Sequence, residues 1–383
     1  METKIPLYPE TLFGYYLQLT ALGLGGWTKP VSRVLVIDSE DYVRLVENAM
    51  NKIAYMSRVE LGAQGSYTSI CEWLRGPKLY TAGKSDIKIL RNAGLLGQQD
   101  KDWCTATVTY VIKVKQNKGP LGIQCSPLML HRATAYGKTR GVVLKDVDKI
   151  ATSTVDSVGL ALIGGLASFL GNVKVRDEWL EYLLVPDGSP ESLENIDSVL
   201  EVFRGTATRA RSLVDRINTL TSLRAGGLSV DFATLFSAIL QASEAVESAE
   251  GLMGLIRGML FERYILARSS AGARPQVMWM SPLTISQIVE NISSKKVVGF
   301  LRSLYGLASM APRIRDNFRS EVESVVAECV NTSLLYFWTR QPEFLVICSR
   351  GLSILDDKAR EQALNDVADL ALRALMLAKR VAM

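Results

Sequence analysis

The chain has 383 residues, 48% of them apolar, which is enough for two or three domains and too much for a disordered polypeptide. A single histidine, His131, and five cysteines without C-x-x-C spacing exclude the common zinc sites. The net charge of +5 is unevenly placed: residues 51–150 hold 16 basic and 7 acidic side chains, a net of +9, while residues 1–50 and 151–383 each come to −2.

In chain order, Pro9 to Leu24 predicts a helix, with Leu12, Tyr15, Tyr16, Leu19 and Leu22 at helical spacing and Gly25-Gly26 as its stop. Arg33 to Asp38, RVLVID, predicts a short buried strand. Ser39 then caps a helix to about Arg58, with Glu40 and Asp41 in the first turn, where the helix dipole favours them. Residues 60–100 are rich in Gly, Ser and Thr and read as irregular.

Two Gly-Lys-Ser/Thr tripeptides stand in the basic stretch, at Gly83-Lys84-Ser85 and Gly137-Lys138-Thr139. The phosphate-cradling loop G-x-x-x-x-G-K-[ST] needs a glycine where this chain has Lys78 and Arg132. Both therefore read as basic surface loops. Cys104 to Gln116, CTATVTYVIKVKQ, alternates as a strand: Ala106, Val108, Tyr110, Ile112 and Val114 on one face, the threonines, Val111, Lys113 and Lys115 on the other. Asn117 to Pro120 makes the turn after it. Two readings of this element stand. Its lysines enter a nucleic-acid groove, or they blunt an exposed sheet edge. Gly141 to Val147 predicts a further strand.

From about Lys149 helical periodicity dominates, with one inserted strand at Pro275 to Met280. Ser157 to Val173 is uncharged but shorter than the roughly 20 residues a bilayer needs, so it reads as a buried helix and no membrane partner is expected. Arg313, Arg315 and Arg319 form a small basic cluster at a helix start. Three long helices close the chain, from Arg313 to Thr339, Glu343 to Leu355 and Asp356 to Ala382. The expected fold is α+β: a basic mixed domain over 1–148 with short strands, then a mainly helical bundle over 149–383. The cysteines at 71, 104, 125, 329 and 348 read as buried free thiols of a reducing cytoplasm.

No catalytic set emerges. Asp356-Asp357-Lys358 reads as a helix start, His131 sits between Leu130 and Arg132, and no G-x-S-x-G, dinucleotide or kinase pattern is present. No cofactor or metal is expected, and the chain is not read as an enzyme. The concentrated charge reads as a surface that tracks phosphates. On charge and spacing, Lys113, Lys115, Asn117 and Lys118 are candidates for groove insertion. Lys84, Lys88, Lys138 and Arg140 are candidates for holding phosphates.

TLFGYYLQLTALGLGG followed by RVLVID, the basic segment TVTYVIKVKQNKGP, and the helical region after WLEYLLVPDGSPES together resemble the large subunit of the archaeal type I-A CRISPR interference complex (Cascade). The resemblance implies a non-catalytic subunit in antiviral defence. Its partners would be guide RNA, target DNA, other subunits of the effector complex and a helicase-nuclease. It would help to recognise the motif flanking the target, while base pairing reads the sequence. Two alternatives remain on the residues alone: an enzyme that binds a phosphorylated ligand through the GKS or GKT loop, and a helical, nucleocapsid-like RNA-binding scaffold.

Overall fold

The computed structural model describes residues 3–6, 12–26, 34–56, 70–71, 84–125, 153–176, 178–186, 190–204, 212–249, 252–261, 263–270, 277–282 and 295–382. The fold is α+β, with short strands and a mainly helical C-terminal part. It divides into two compact units, Met1–Glu201 with Arg263–Pro282, and Val202–Glu262 with Leu283–Met383. The division expected after residue 148 is therefore not where the units part. The reason is a sheet whose strands come from both sides of the second unit's first segment.

In the first unit, β1 (Thr3–Pro6) pairs antiparallel with β2 (Val34–Ile37), Thr3 opposite Ile37. Leu35 and Ile37 of β2 are buried while Val36 is exposed, the alternation of a strand with one covered face. Helix α1 (Leu12–Gln18) runs on as a π-helical segment over Leu19–Leu24 and ends at Gly25-Gly26, where Gly26 has φ 72°. Helix α2 (Ser39–Met56) has Glu40 and Asp41 in its first turn, as expected, and Asp38 Oδ1 accepts the Asp41 N–H at 2.9 Å. Helices α3 (Lys84–Asn92) and α4 (Trp103–Asn117) follow. Next come the two-residue pair β3 (Gln124–Cys125) and β4 (Ser153–Thr154), and then α5 (Val155–Ser168).

Every residue of α5 is buried, so the apolar run is a core helix, and among the described residues no helix is long and apolar enough to cross a membrane. Its glycines let neighbours approach. A Cβ on Gly164 would stand 2.2 Å from the Tyr16 carbonyl oxygen of α1, and one on Gly159 would stand 2.4 Å from the Tyr110 ring of α4. The Thr20 hydroxyl donates to the Leu160 carbonyl at 2.7 Å and ties the π-helical segment to α5.

The chain then forms β5 (Phe169–Val175) and β6 (Glu178–Pro186), followed by the short α6 (Pro190–Glu194) and α7 (Ile196–Arg204). β7 (Tyr264–Ser270) and β8 (Val277–Pro282) complete an antiparallel sheet in the order β5-β6-β7-β8. The expected strand at Pro275 to Met280 is thus the last strand of four. The other three fall where helical periodicity was expected.

In the second unit, α8 (Leu213–Thr221) starts with a capping box between Ser212 and Asp215. It leads to α9 (Val230–Glu247), α10 (Leu252–Phe261), α11 (Lys295–Met310) and, after a 3₁₀ turn, α12 (Asp316–Thr339). α13 (Glu343–Glu361) and α14 (Asn365–Ala382) form the final hairpin, α14 packing also on α11. The break expected at Asp356 falls instead at Ala363, with φ 55°. Asp356 lies inside α13, where its carboxylate pairs with Arg360 at 2.9 Å rather than capping a helix.

The cysteines are not all free thiols. Cys71 is bonded to Cys104, and Cys329 of α12 to Cys348 of α13, which leaves Cys125 outside both bridges. Their Cα atoms are 5.5 and 4.6 Å apart, within disulfide reach, although neither pair is close in sequence. Alkylation of the denatured, unreduced chain is expected to label one cysteine, and all five after reduction, as read by intact mass. Labelling of three without reductant would contradict one bridge, and labelling of all five would contradict both.

Candidate nucleic-acid interface

The clearest expected strand is a helix. Trp103–Asn117 forms α4, and Asp102 caps it, accepting the Thr105 N–H at 2.7 Å and the Thr105 hydroxyl at 2.8 Å. Trp103, Cys104, Ala106, Thr107, Val108, Tyr110, Val111 and Val114 are buried, a set drawn from both expected strand faces and spaced as one side of a helix. Ile112, placed on one strand face with Val108 and Tyr110, is 45% exposed, while Thr107 and Val111, placed on the face of the lysines, are buried. α4 ends at Lys118, which has φ 52°, and its N–H reaches the Lys115 carbonyl at 3.2 Å.

That change of element separates the proposed groove residues. Residues two apart on a strand share a face, but on a helix they diverge by about 200°. The half-buried Lys113 leans toward the turn before α4, so close that a Cβ on Gly94 would meet its Nζ at 2.7 Å. Lys115 points to the other flank, where Nζ lies 2.8 Å from Glu47 Oε1 of α2. The Asn117 amide donates to the Pro120 carbonyl at 2.7 Å and so serves the turn. Lys118 is exposed.

Among the expected phosphate contacts, Lys84 is the first residue of α3 and Lys88 lies exposed one turn later. Lys138 and Arg140, with the whole GKT loop and the strand expected at Gly141 to Val147, lie outside the described residues. Lys84 and Ser85 of the GKS tripeptide are the first two residues of α3. Asp86, however, is buried in that helix's first turn, so the helix N-terminus already has a negative charge beside it. Lys101, just before α4, is a further exposed cation that periodicity gave no reason to single out. Arg91 is instead spent on the α3–α4 turn, with its guanidinium bonded to the Gly97, Gln98 and Asp100 carbonyls.

The base of this surface is a buried polar cluster. The hydroxyls of Tyr42 on α2 and Tyr110 on α4 are hydrogen-bonded, and Tyr110 lies 3.4 Å from Asp156 Oδ1 at the start of α5. Asp156 is 1% exposed, and its two oxygens accept the Leu121 N–H at 2.8 Å and the Gly122 N–H at 2.7 Å. Burial first, and the negative charge of Asp156 with it, raises the Tyr42 hydroxyl well above the ordinary phenol range. Burial, Tyr42 and Asp156 do the same for Tyr110. Both phenols therefore stay protonated and serve as donors. The cluster locks α2, α4 and α5 together and pins the turn that carries Lys118. In sequence Asp156 looked like an ordinary first-turn acid, and only the tertiary fold reveals its partners.

Among the described residues no group of three or more His, Cys, Asp or Glu side chains is placed to hold a metal ion. Compared with known protein families, with characterised proteins and with solved structures, the chain gives no match.

Proposed function

We propose that the chain is a non-catalytic nucleic-acid-binding protein that grips a sugar-phosphate backbone through the cations of residues 51–150. The observation that carries this reading is the gathering of a net +9 into that one stretch of a chain whose whole net charge is +5. Lys113 and Lys115 do not act side by side in this reading, because α4 sends them to opposite flanks and Glu47 holds Lys115. The exposed Lys88, Lys101 and Lys118 take the backbone role.

The narrower proposal is the large subunit of an archaeal type I-A CRISPR interference complex, with guide RNA, target DNA and the other subunits as partners. Two of its three carriers keep their expected form, the N-terminal helix followed by a short strand and the helical C-terminal region. The third, TVTYVIKVKQNKGP, is a helix and no longer supports it.

Fluorescence anisotropy on labelled DNA and RNA duplexes and single strands across a salt series tests the broader reading. Affinity is expected to fall steeply with salt for the wild type. The double variant Lys88→Glu/Lys118→Glu is expected to bind more weakly to all sequences alike, with the salt slope reduced by about 2. A wild-type chain with no salt-dependent binding to any of these probes would end the proposal. Co-purification with a guide-loaded effector complex tests the narrower one.

A further inference from the structure

Within the second unit, the turn after α8 and the first part of α12 border an open cleft of about 250 Å³, lined by Arg224, Ala225, Arg319, Ser320 and Glu323. Its floor is fixed by one carboxylate. Glu323, 2% exposed, accepts the Arg224 N–H at 2.8 Å and the Ala225 N–H at 2.9 Å on Oε2, and the Arg319 Nε at 2.6 Å on Oε1. The next residue in the turn, Gly226, has φ 88°, and a Cβ there would stand 2.5 Å from the Ala327 Cβ. The turn is therefore pressed against α12 and cannot carry a larger residue at that point.

The consequence is a surplus of positive charge facing the cleft. Glu323 spends both oxygens inward. The ion pair occupies only the Nε of Arg319, and no partner takes its two terminal nitrogens among the described residues. Arg224 is held by its backbone while its guanidinium stays exposed, and Ser320 adds an exposed hydroxyl. Arg315, one turn before Arg319, is also exposed. Two guanidinium forks and a hydroxyl around a preformed hollow match the oxygens of a phosphate, which accepts paired hydrogen bonds from planar donors.

We infer that this cleft binds a phosphate group, with Arg224 and Arg319 as its forked donors and Ser320 as a third. Glu323 positions Arg319 and the turn and does not touch the ligand. The inference stands apart from the basic stretch of the first unit and does not need that stretch to bind nucleic acid. The phosphate belongs either to a free phosphate or small phosphoester, or to the backbone of a nucleic acid, and the chemistry of the cleft is the same for both.

Titration of the full chain with inorganic phosphate, followed by phosphorus NMR linewidth and by calorimetry, is one arm. Anisotropy with a labelled oligonucleotide at fixed salt is the other. Saturable phosphate binding is expected, weakened about tenfold by Arg224→Ala and about threefold by Ser320→Ala. Both substitutions are at exposed side chains and leave the Glu323 contacts in place, and circular dichroism checks that each variant is folded. If Arg224→Ala also weakens the oligonucleotide, the phosphate is that of a nucleic-acid backbone. If only inorganic phosphate responds, the ligand is small. If neither arm responds to Arg224→Ala or to Ser320→Ala, the inference is overturned, whatever Lys88 and Lys118 do.

Discussion

Asp156→Ala is expected to destabilise the protein by about 3 kcal/mol, because it strips the acceptor from two backbone N–H groups and leaves the Tyr42–Tyr110 pair without its carboxylate. Asp156 is almost wholly enclosed, so water does not readily replace it. Asp156→Asn keeps one oxygen acceptor and is expected to lose roughly half as much. The sharper readout is local. The amides of Leu121 and Gly122 are expected to be protected from hydrogen exchange in the wild type and to exchange freely in Asp156→Ala, at denaturant concentrations where the rest of α4 remains protected. Unchanged protection at those two amides would show that Asp156 does not anchor the turn. Since that turn begins at Lys118, its release is also expected to weaken any polyanion contact made there, without removing a charge from the surface.

The elements that were legible in sequence share one property: their pattern is local. β2 shows its alternation through Leu35, Val36 and Ile37, and α2 carries both its acidic first turn and its apolar stripe. α14 repeats Val367, Ala371, Ala374 and Ala378 at helical spacing, and all four are buried. α4 misled because Thr, Val, Tyr and Ile favour strands, and because apolar and polar residues happen to alternate there. Its state is decided by packing against α2 and α5, which no local pattern reports. β6 was missed for the opposite reason. Leu180 to Val185 are all buried, so the strand shows no alternation, and its partner β7 follows the whole of the second unit's first segment in the chain. The disulfides and the Glu323 clamp are contacts between residues distant in sequence, and composition cannot specify them. For the candidate interface, charge density located the stretch but not the directions in which the side chains leave it.

Glu323→Ala is expected to have the largest effect in the second unit. Glu323 is a buried anion with a partly buried helical partner one turn away and two main-chain donors, so removing it takes the acceptor from three donors at once. Breaking one side of such a pair costs about 3–5 kcal/mol, here seen as a fall in thermal midpoint of roughly 10 °C. The double variant Arg319→Ala/Glu323→Ala is expected to lose less than the sum of the single losses, because it leaves no uncompensated guanidinium behind. The pH dependence follows from the same contacts. Burial raises the Glu323 carboxyl, but the Arg319 side chain and the Ala225 and Arg224 N–H groups outweigh it and hold the group below the ordinary glutamate range. A carboxylate depressed in the folded state contributes stability above its unfolded pKa of about 4.3, and that contribution is lost as pH falls through the lower folded value. The stability gap between wild type and Glu323→Gln is therefore expected to be full at neutral pH and to close progressively below about pH 4. A gap that stays constant down to strongly acid solution would mean that shape rather than charge holds the turn, and the preformed cleft above it would lose its physical basis.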